Sequence, residues 1–234
     1  MIENLTDAEC IALGLSLKVA SVGVLISVPF GFALAWLLAR KEFPGKLILD
    51  GIVHLPLVVP PVATGYLLLV LFGANGPAGS WLLETLGVRL VFTWQGAALV
   101  AAVMGFPLLV RALRLSIEAI DTGLIHAART LGASRTRVAF SIVLPLVSPG
   151  LIAGSLLAFS RALGEFGATI AFVGNIPGET QTLPLALYSA LQSPGGEEMG
   201  YRLVLLSILL AVATLGASEL LGRFMRRRLF GTAP

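Results

Sequence analysis

Five long apolar segments constrain this chain more than any other feature of its sequence. They lie at about residues 17–39, 48–72, 94–115, 149–173 and 203–221. A helix of about 20 mostly apolar residues crosses the hydrocarbon core of a bilayer, and a segment that crosses it alone must satisfy its backbone hydrogen bonds internally. The pattern predicts an all-α polytopic membrane protein with about five transmembrane helices, forming a single membrane domain over 1–234.

The composition excludes an ordinary soluble fold. Of the 234 residues, 56% are hydrophobic and 12% are charged, which is about half the charged fraction of a soluble domain. Cys10 is the single cysteine, so an internal disulfide is excluded and a thiolate metal site is implausible. The first ten residues include no Lys or Arg, so we expect the first apolar segment to be retained and not cleaved as a signal peptide.

Basic residues are concentrated in alternate connections. Those in the first and third connections and in the C-terminal tail are Arg40, Lys41, Lys46, Arg111, Arg114, Arg129, Arg135, Arg137, Arg223, Arg226, Arg227 and Arg228. The other two connections contribute only Arg89 and Arg202. Because cytoplasmic loops collect Lys and Arg, we expect a periplasmic N-terminus and a cytoplasmic C-terminus. The basic tail is typical of an anchor at the lipid bilayer surface and gives no reason to expect nucleic-acid binding.

Prolines interrupt the second apolar segment. Pro56, Pro60 and Pro61 each remove a backbone donor. Two interpretations are open: a simple helix kink, or a broken helix whose freed carbonyls are satisfied by neighbouring helices or water. After the fourth segment, the apolar stretch 183–191 lies between Pro-Gly breaks and predicts a short helix on the outer face.

The connection at 122–145 is longer and more regular than a turn between membrane helices requires. Its apolar positions repeat at helical spacing: Leu124, Ala127, Ala128 and Leu131. Gly132 permits a left-handed turn, Ser134 is a suitable N-cap, and Pro145 marks the return to the membrane. The pattern predicts two short helices that present an apolar knob with a basic rim. Such a surface suits a groove on a soluble partner and, equally, a membrane surface with lipid phosphates.

This connection resembles the EAA loop of the permease subunits of ATP-binding-cassette (ABC) importers. That loop reads E-A-A, three residues, Gly, nine residues and then I-x-L-P. The matching positions are Ala127, Ala128, Gly132, Ile142, Leu144 and Pro145. His126 stands where the family has its opening Glu, so the contact that this Glu makes with the partner subunit is not carried over.

Further matches over nearly the whole chain narrow the resemblance to the molybdate permeases. They are FPGK at 43–46, LPLVVPPVATGYLLL at 55–69, RALGEFGATIAFVGNIPGETQTLP at 161–184 and SPGGE at 193–197. Sulfate and tungstate permeases share weaker versions, notably around Glu165. The resemblance implies the type-1 ABC importer permease fold, with a core at about 11–222.

The resemblance also implies a homodimer that forms the translocation path across the inner (cytoplasmic) membrane. Two cytoplasmic ATPase subunits would each accept one loop, and a periplasmic molybdate-binding protein would deliver the anion. The implied coupling residues are His126, Ala127, Ala128, Arg129, Gly132, Arg135, Arg137, Ile142, Leu144 and Pro145. The sequence contains no G-x-x-x-x-G-K-[ST] phosphate loop. ATP and Mg would therefore be used by the ATPase, and we expect no catalytic residue, metal or bound cofactor on this chain.

Arg161 and Glu165 place charge inside the fourth apolar segment, where it is costly and often functional. At a spacing of four they can face one another on a helix. They can be a self-neutralising pair that ties helices together. Alternatively, Arg161 lines the path with Ser160 and Thr169, and Glu165 keeps the arginine from trapping a dianion, because a path must release its ion.

Two alternative functions are open. The substrate can be sulfate, thiosulfate or tungstate, since these dianions are so alike that selection is expected mainly in the binding protein. The chain can instead be a passive anion channel or a membrane scaffold, although neither gives a reason for the spacing of the EAA-like loop.

Overall fold

The computed structural model describes residues 5–230, without the side chains of residues 218, 219 and 223–230. Every regular element in that range is helical. The helices are α1 (Asp7–Arg40), α2 (Lys46–Val58), α3 (Pro61–Phe72), α4 (Pro77–Leu86), α5 (Trp94–Glu118), α6 (Thr122–Thr130), α7 (Arg135–Val138), α8 (Leu144–Leu163), α9 (Gly167–Val173), α10 (Leu183–Gln192) and α11 (Glu197–Phe230). A π-helical turn (Ala139–Val143) joins α7 to α8. The arginines predicted to anchor the tail are among the residues whose side chains the structure does not describe.

Within the described residues, four helical units are long and apolar enough to cross a membrane. They are α1, α5, the unbroken unit Arg135–Leu163 and the Glu197–Gly222 part of α11. The pair α2 and α3 makes a fifth when counted as one span, although the two axes meet at 117°. The prediction of an all-α protein with about five apolar membrane-length segments is therefore confirmed.

The break between α2 and α3 is much sharper than a kink. Val59 and Pro60 are both extended, with ψ of 137° and 133°. Each precedes a proline, which disfavours the helical conformation of the residue before it. Pro61 then begins α3 at a position where no backbone donor is needed. Pro56, in contrast, lies inside α2 and does not end it.

Small residues set the spacing of the central helices. A methyl group on Gly23 of α1 would lie 2.9 Å from the carbonyl oxygen of Ala98 in α5. One on Gly105 of α5 would lie 3.0 Å from the Cβ of Ala158 in α8. Such close approach is how helices pack in a bilayer. It makes α5 the buried centre, with α1 and α8 against it.

The predicted fourth span, 149–173, was wrong at both ends. The helix starts at Arg135, because the π turn accommodates Pro145: the N–H of Leu144 donates to the carbonyl of Ala139, five residues back. The helix stops at Leu163, and α9 forms a separate helix after a break at 164–166. The second helix of the loop is thus the start of a long membrane helix and is not short.

Two short helices complete the other end of the bundle. The predicted helix at 183–191 is confirmed as α10, which buries Leu185 and Ala186 and packs with Leu203 of α11. We did not predict α4, although Pro77 at its first turn and Gly87 in the left-handed conformation at its end are standard helix boundaries.

Candidate functional site

The EAA-like loop forms an elbow of two helices. Asp121 caps α6, its carboxylate accepting the N–H of Gly123 at 2.7 Å. The helix ends before Gly132, whose φ of +85° lies in the left-handed region. Ser134 caps α7, its hydroxyl accepting the N–H of Arg137 at 3.2 Å. The predicted left-handed turn at Gly132 and cap at Ser134 are both confirmed.

One side of this elbow packs on the bundle. Ile125, Ala128, Ala133 and Ile142 contact the buried cluster that contains Leu113, Ile117 and Ile120. The opposite side is exposed, and Leu131 projects furthest, with 88% of its surface accessible. Ala128 therefore turns inward, while Leu124, Ala127 and Leu131 form the apolar knob that was predicted.

The remaining residues of the predicted coupling set divide between rim and bundle. His126, Arg129, Arg135 and Arg137 are exposed around the knob. Leu144 is exposed at the start of α8, and Pro145 is half-buried beneath it. The elbow thus offers an apolar centre and a cationic margin, a composition that suits a protein-docking surface and, equally, a membrane surface.

A polar cluster ties the end of α5 to α2 beside the elbow. Arg114 donates to Glu118 at 2.8 Å and to Asp50 of α2 at 3.2 Å. With His54 and Arg111, these side chains line a cavity of about 330 Å³. From the sequence, Arg114 is predicted only to be one of the charges that set the membrane orientation. The contact with Asp50 joins residues 64 apart in sequence, so no local pattern indicates it.

Arg161 and Glu165 form an ion pair across the break that follows α8. Arg161 Nη1 lies 2.6 Å from Glu165 Oε2. The other carboxylate oxygen, Oε1, accepts the N–H of Ala168 at 2.8 Å. The Glu165 side chain is only 3% exposed, while that of Arg161 is 28% exposed. The predicted pairing is confirmed, but Glu165 lies beyond the helix and also caps the first turn of α9.

The other two residues predicted to line a path lie near this pair in sequence. Ser160 reaches a cavity of about 270 Å³ between α8, α10 and α11, which Ser207 and Thr214 also line. Its hydroxyl donates to the carbonyl of Leu156 at 2.9 Å, so the hydroxyl proton is already used in a hydrogen bond within α8. Thr169 is buried in α9. Among the side chains that the structure describes, no group of three His, Cys, Asp or Glu could hold a metal ion.

A buried acid at the other end of the bundle was also missed. Glu9 is fully buried, accepts the N–H of Thr6 at 2.7 Å and accepts from Arg202 of α11 at 2.8 Å. The spacing Thr6-x-x-Glu9 is a capping-box signal that the sequence displays. Arg202, 193 residues away, has no such signal.

The chain matches the family model described as "Binding-protein-dependent transport system inner membrane component" over residues 27–227. It is 57% identical to the molybdenum transport system permease protein ModB of Escherichia coli K12, covering 96% of this chain and 98% of that protein. It is 34% identical to the sulfate transport system permease protein CysT of the same strain, covering 96% of this chain and 81% of that protein.

The fold is also similar to a solved structure. A chain from a bacterial alginate ABC transporter, solved in complex with an alginate-bound periplasmic protein, superposes with a TM-score of 0.69. The match covers 98% of this chain and 82% of that chain at 19% identity. At that identity the comparison concerns the helical fold alone.

Proposed function

Since this chain belongs to the family of binding-protein-dependent transport system inner membrane components, we propose that it is the permease subunit of an ATP-driven molybdate importer. The observation that supports molybdate as the substrate is the 57% identity to a molybdenum permease over nearly the full length of both chains. The lower identity of 34% to a sulfate permease makes sulfate the second candidate.

The proposed working unit is a homodimer in the inner membrane, with the path between the two copies. Large apolar side chains exposed on α2, α3 and α11 suit contact with lipid or with a second copy. They include Ile48, Ile52, Tyr66, Leu67, Ile208 and Val212. In the proposed orientation the N-terminus is periplasmic and the elbow and C-terminus are cytoplasmic, because Lys and Arg collect on the cytoplasmic side.

Energy would enter through the elbow. The exposed knob around Leu131 would seat in a groove of a cytoplasmic ATPase subunit, with Arg129, Arg135 and Arg137 at its margin. ATP and Mg would be consumed there, and this chain would take no part in the chemistry. Closure of the two ATPase subunits would draw the two elbows together and open the path toward the periplasmic binding protein.

Inside the membrane, the Arg161–Glu165 pair is proposed to border the path. A lone arginine in a low-dielectric site would hold a dianion too tightly for release. The carboxylate 2.6 Å from its guanidinium offsets that attraction. Ser160 and Thr169 would contribute the neutral wall beside it.

The substrate is tested by deleting the gene, restoring it, and measuring molybdenum, tungsten and sulfur accumulation at nanomolar external molybdate. We expect loss of molybdenum alone, with recovery at high external molybdate. A defect in sulfur accumulation with normal molybdenum accumulation would support an importer whose substrate is sulfate. Normal accumulation of all three elements would contradict the proposal.

The coupling role is tested by Leu131→Asp, with Leu86→Asp as the matched control. Both leucines are exposed and each precedes a glycine in the left-handed conformation, but Leu86 ends α4 at the other end of the bundle. We expect only Leu131→Asp to abolish co-purification with the ATPase subunit. Equal retention of the ATPase by both variants would exclude the elbow as the docking surface.

A further inference from the structure

The side chain of Arg40 joins the end of α1 to the end of α5. Its Nη2 atom donates to the carbonyl of Ile117 at 2.6 Å and to that of Ile120 at 3.0 Å. Arg40 is half-buried, and its Nε atom is buried without a hydrogen-bond partner. The guanidinium also lies 5.9 Å from the ring of Trp36. This is a fixed side chain, unlike the exposed Lys41 that follows it.

The two carbonyls that Arg40 binds belong to Ile117 in the last turn of α5 and to Ile120, two residues beyond its end. The last carbonyls of a helix lack intrahelical donors, and a cation is favoured at that end by the helix dipole. Ile117 and Ile120 are both buried, so water is not a ready substitute. The Ile117 carbonyl also accepts the N–H of Ile120 at 3.2 Å. Loss of Arg40 would therefore remove the charged donor from both buried carbonyls and would weaken the hydrogen bonding of Ile120 most, which is costly.

The position of these carbonyls in the chain gives the contact its significance. Ile120 is followed directly by Asp121, the N-cap of α6. Arg40 therefore holds the junction at which the bundle ends and the elbow begins. Elsewhere α1 also packs closely on α5, as at Gly31, where an added methyl group would lie 3.0 Å from the side chain of Leu109.

We infer that Arg40 is a positioning residue for coupling: it fixes the junction between α5 and α6 to α1, so that displacement of the elbow moves α1 and α5 together. Without it, the junction at 119–121 can bend and absorb the displacement. This inference rests on the proposed function, because it assigns Arg40 a part in transmitting the ATPase movement. This role of Arg40 is distinct from the general effect of basic residues on membrane orientation.

The test compares Arg40→Met with Lys41→Met in the complete transporter, with ATPase and binding protein, in proteoliposomes. Methionine keeps a long apolar stem but removes every donor. Both variants remove one positive charge from the same connection, so an effect on membrane orientation alone would appear in both. Arg40→Lys retains the positive charge and an ammonium group that can donate to one of the two carbonyls. The measurements are complex assembly, molybdate uptake, and stimulation of ATP hydrolysis by the loaded binding protein.

We expect assembled Arg40→Met to hydrolyse ATP at its basal rate but to lose about tenfold in stimulation and uptake, the size of effect of a lost bond to a charged donor. Arg40→Lys should be intermediate and Lys41→Met unchanged. Normal stimulation in Arg40→Met would overturn the inference. If Arg40→Met fails to assemble, Arg40→Lys decides: assembly with reduced stimulation supports the inference, and full stimulation overturns it. A wild-type complex that the binding protein does not stimulate would instead overturn the proposed function.

Discussion

Glu165 bonds both sides of a break in the transmembrane region, holding Arg161 of α8 at 2.6 Å with one oxygen and the N–H of Ala168 in α9 at 2.8 Å with the other. A carboxylate buried at this depth requires such partners. The pair therefore has a structural role whether or not an anion passes beside it.

Replacing Glu165 alone should cost more than replacing both members of the pair. Glu165→Gln keeps an acceptor for Ala168 but leaves the Arg161 charge without its partner, which should destabilise the protein by about 3 kcal/mol. Arg161→Ala together with Glu165→Gln should be milder, because no uncompensated charge remains. Thermal unfolding of the purified protein and molybdate uptake are the measurements. Additive losses would mean that the two residues act separately.

Gly132 should tolerate asparagine but not valine. Its φ of +85° suits Gly or Asn, whereas a β-branched residue is strained there by about 1–3 kcal/mol. Nothing lies within 4 Å of an added methyl group, so the effect is one of backbone conformation and not of space. Gly132→Val should lose uptake at normal membrane abundance, and Gly132→Asn should keep it. Equal uptake by the two variants would exclude a conformational requirement at the hinge.

Gly65 is where α3 meets α9, and even alanine should disturb the contact. An added methyl group would overlap the carbonyl oxygen of Ala168, so the helices would have to separate. We expect Gly65→Ala to destabilise the protein by about 1–3 kcal/mol. Gly51→Ala in α2, which has open space around it, should be neutral or slightly stabilising. Similar thermal midpoints for both variants would contradict the packing that the structure describes.

Arg202 provides an internal comparison of a buried and an exposed acid. It bonds Glu9 and Glu198 at 2.8 Å each, yet Glu9 is fully buried and Glu198 is 84% exposed. Glu9→Ala removes a buried charge-assisted hydrogen bond and the capping bond to the N–H of Thr6, whereas an exposed pair contributes little. Glu9→Ala should lower the thermal midpoint by roughly 5 °C or more, and Glu198→Ala should leave it nearly unchanged. Equal shifts would show that Glu9 is not held by this contact.

Local signals predicted the features of the elbow because their causes are local. The left-handed turn at Gly132 and the cap at Ser134 depend on residues within a few positions of each other. The spacing of Arg161 and Glu165 predicted their contact, although the continuous helix assumed for them ends at Leu163. The distribution of apolar residues located five segments but not their ends. It does not indicate the π turn that accommodates Pro145 or the break in the helix at Gly164.

Contacts between distant residues were beyond the reach of a single sequence. Arg40 bonds a carbonyl 77 residues away, and Glu9 bonds a side chain 193 residues away. The sequence indicates Arg40 and Arg202 only as charges in loops. Tertiary packing decides which of several similar arginines becomes fixed, and that information is not carried by the arginine's own neighbours.

The unbroken helical unit Arg135–Leu163 has a mechanical consequence. At 1.5 Å per residue its 29 residues span on the order of 40 Å, from the exposed elbow to the arginine that pairs with Glu165. A rigid rod of that length acts as a lever: a tilt of about 5° at the elbow moves the far end by roughly 4 Å. That travel exceeds the 2.6 Å between Arg161 Nη1 and Glu165 Oε2, so a small rotation at the elbow would displace the far end of α8 by more than the length of a hydrogen bond.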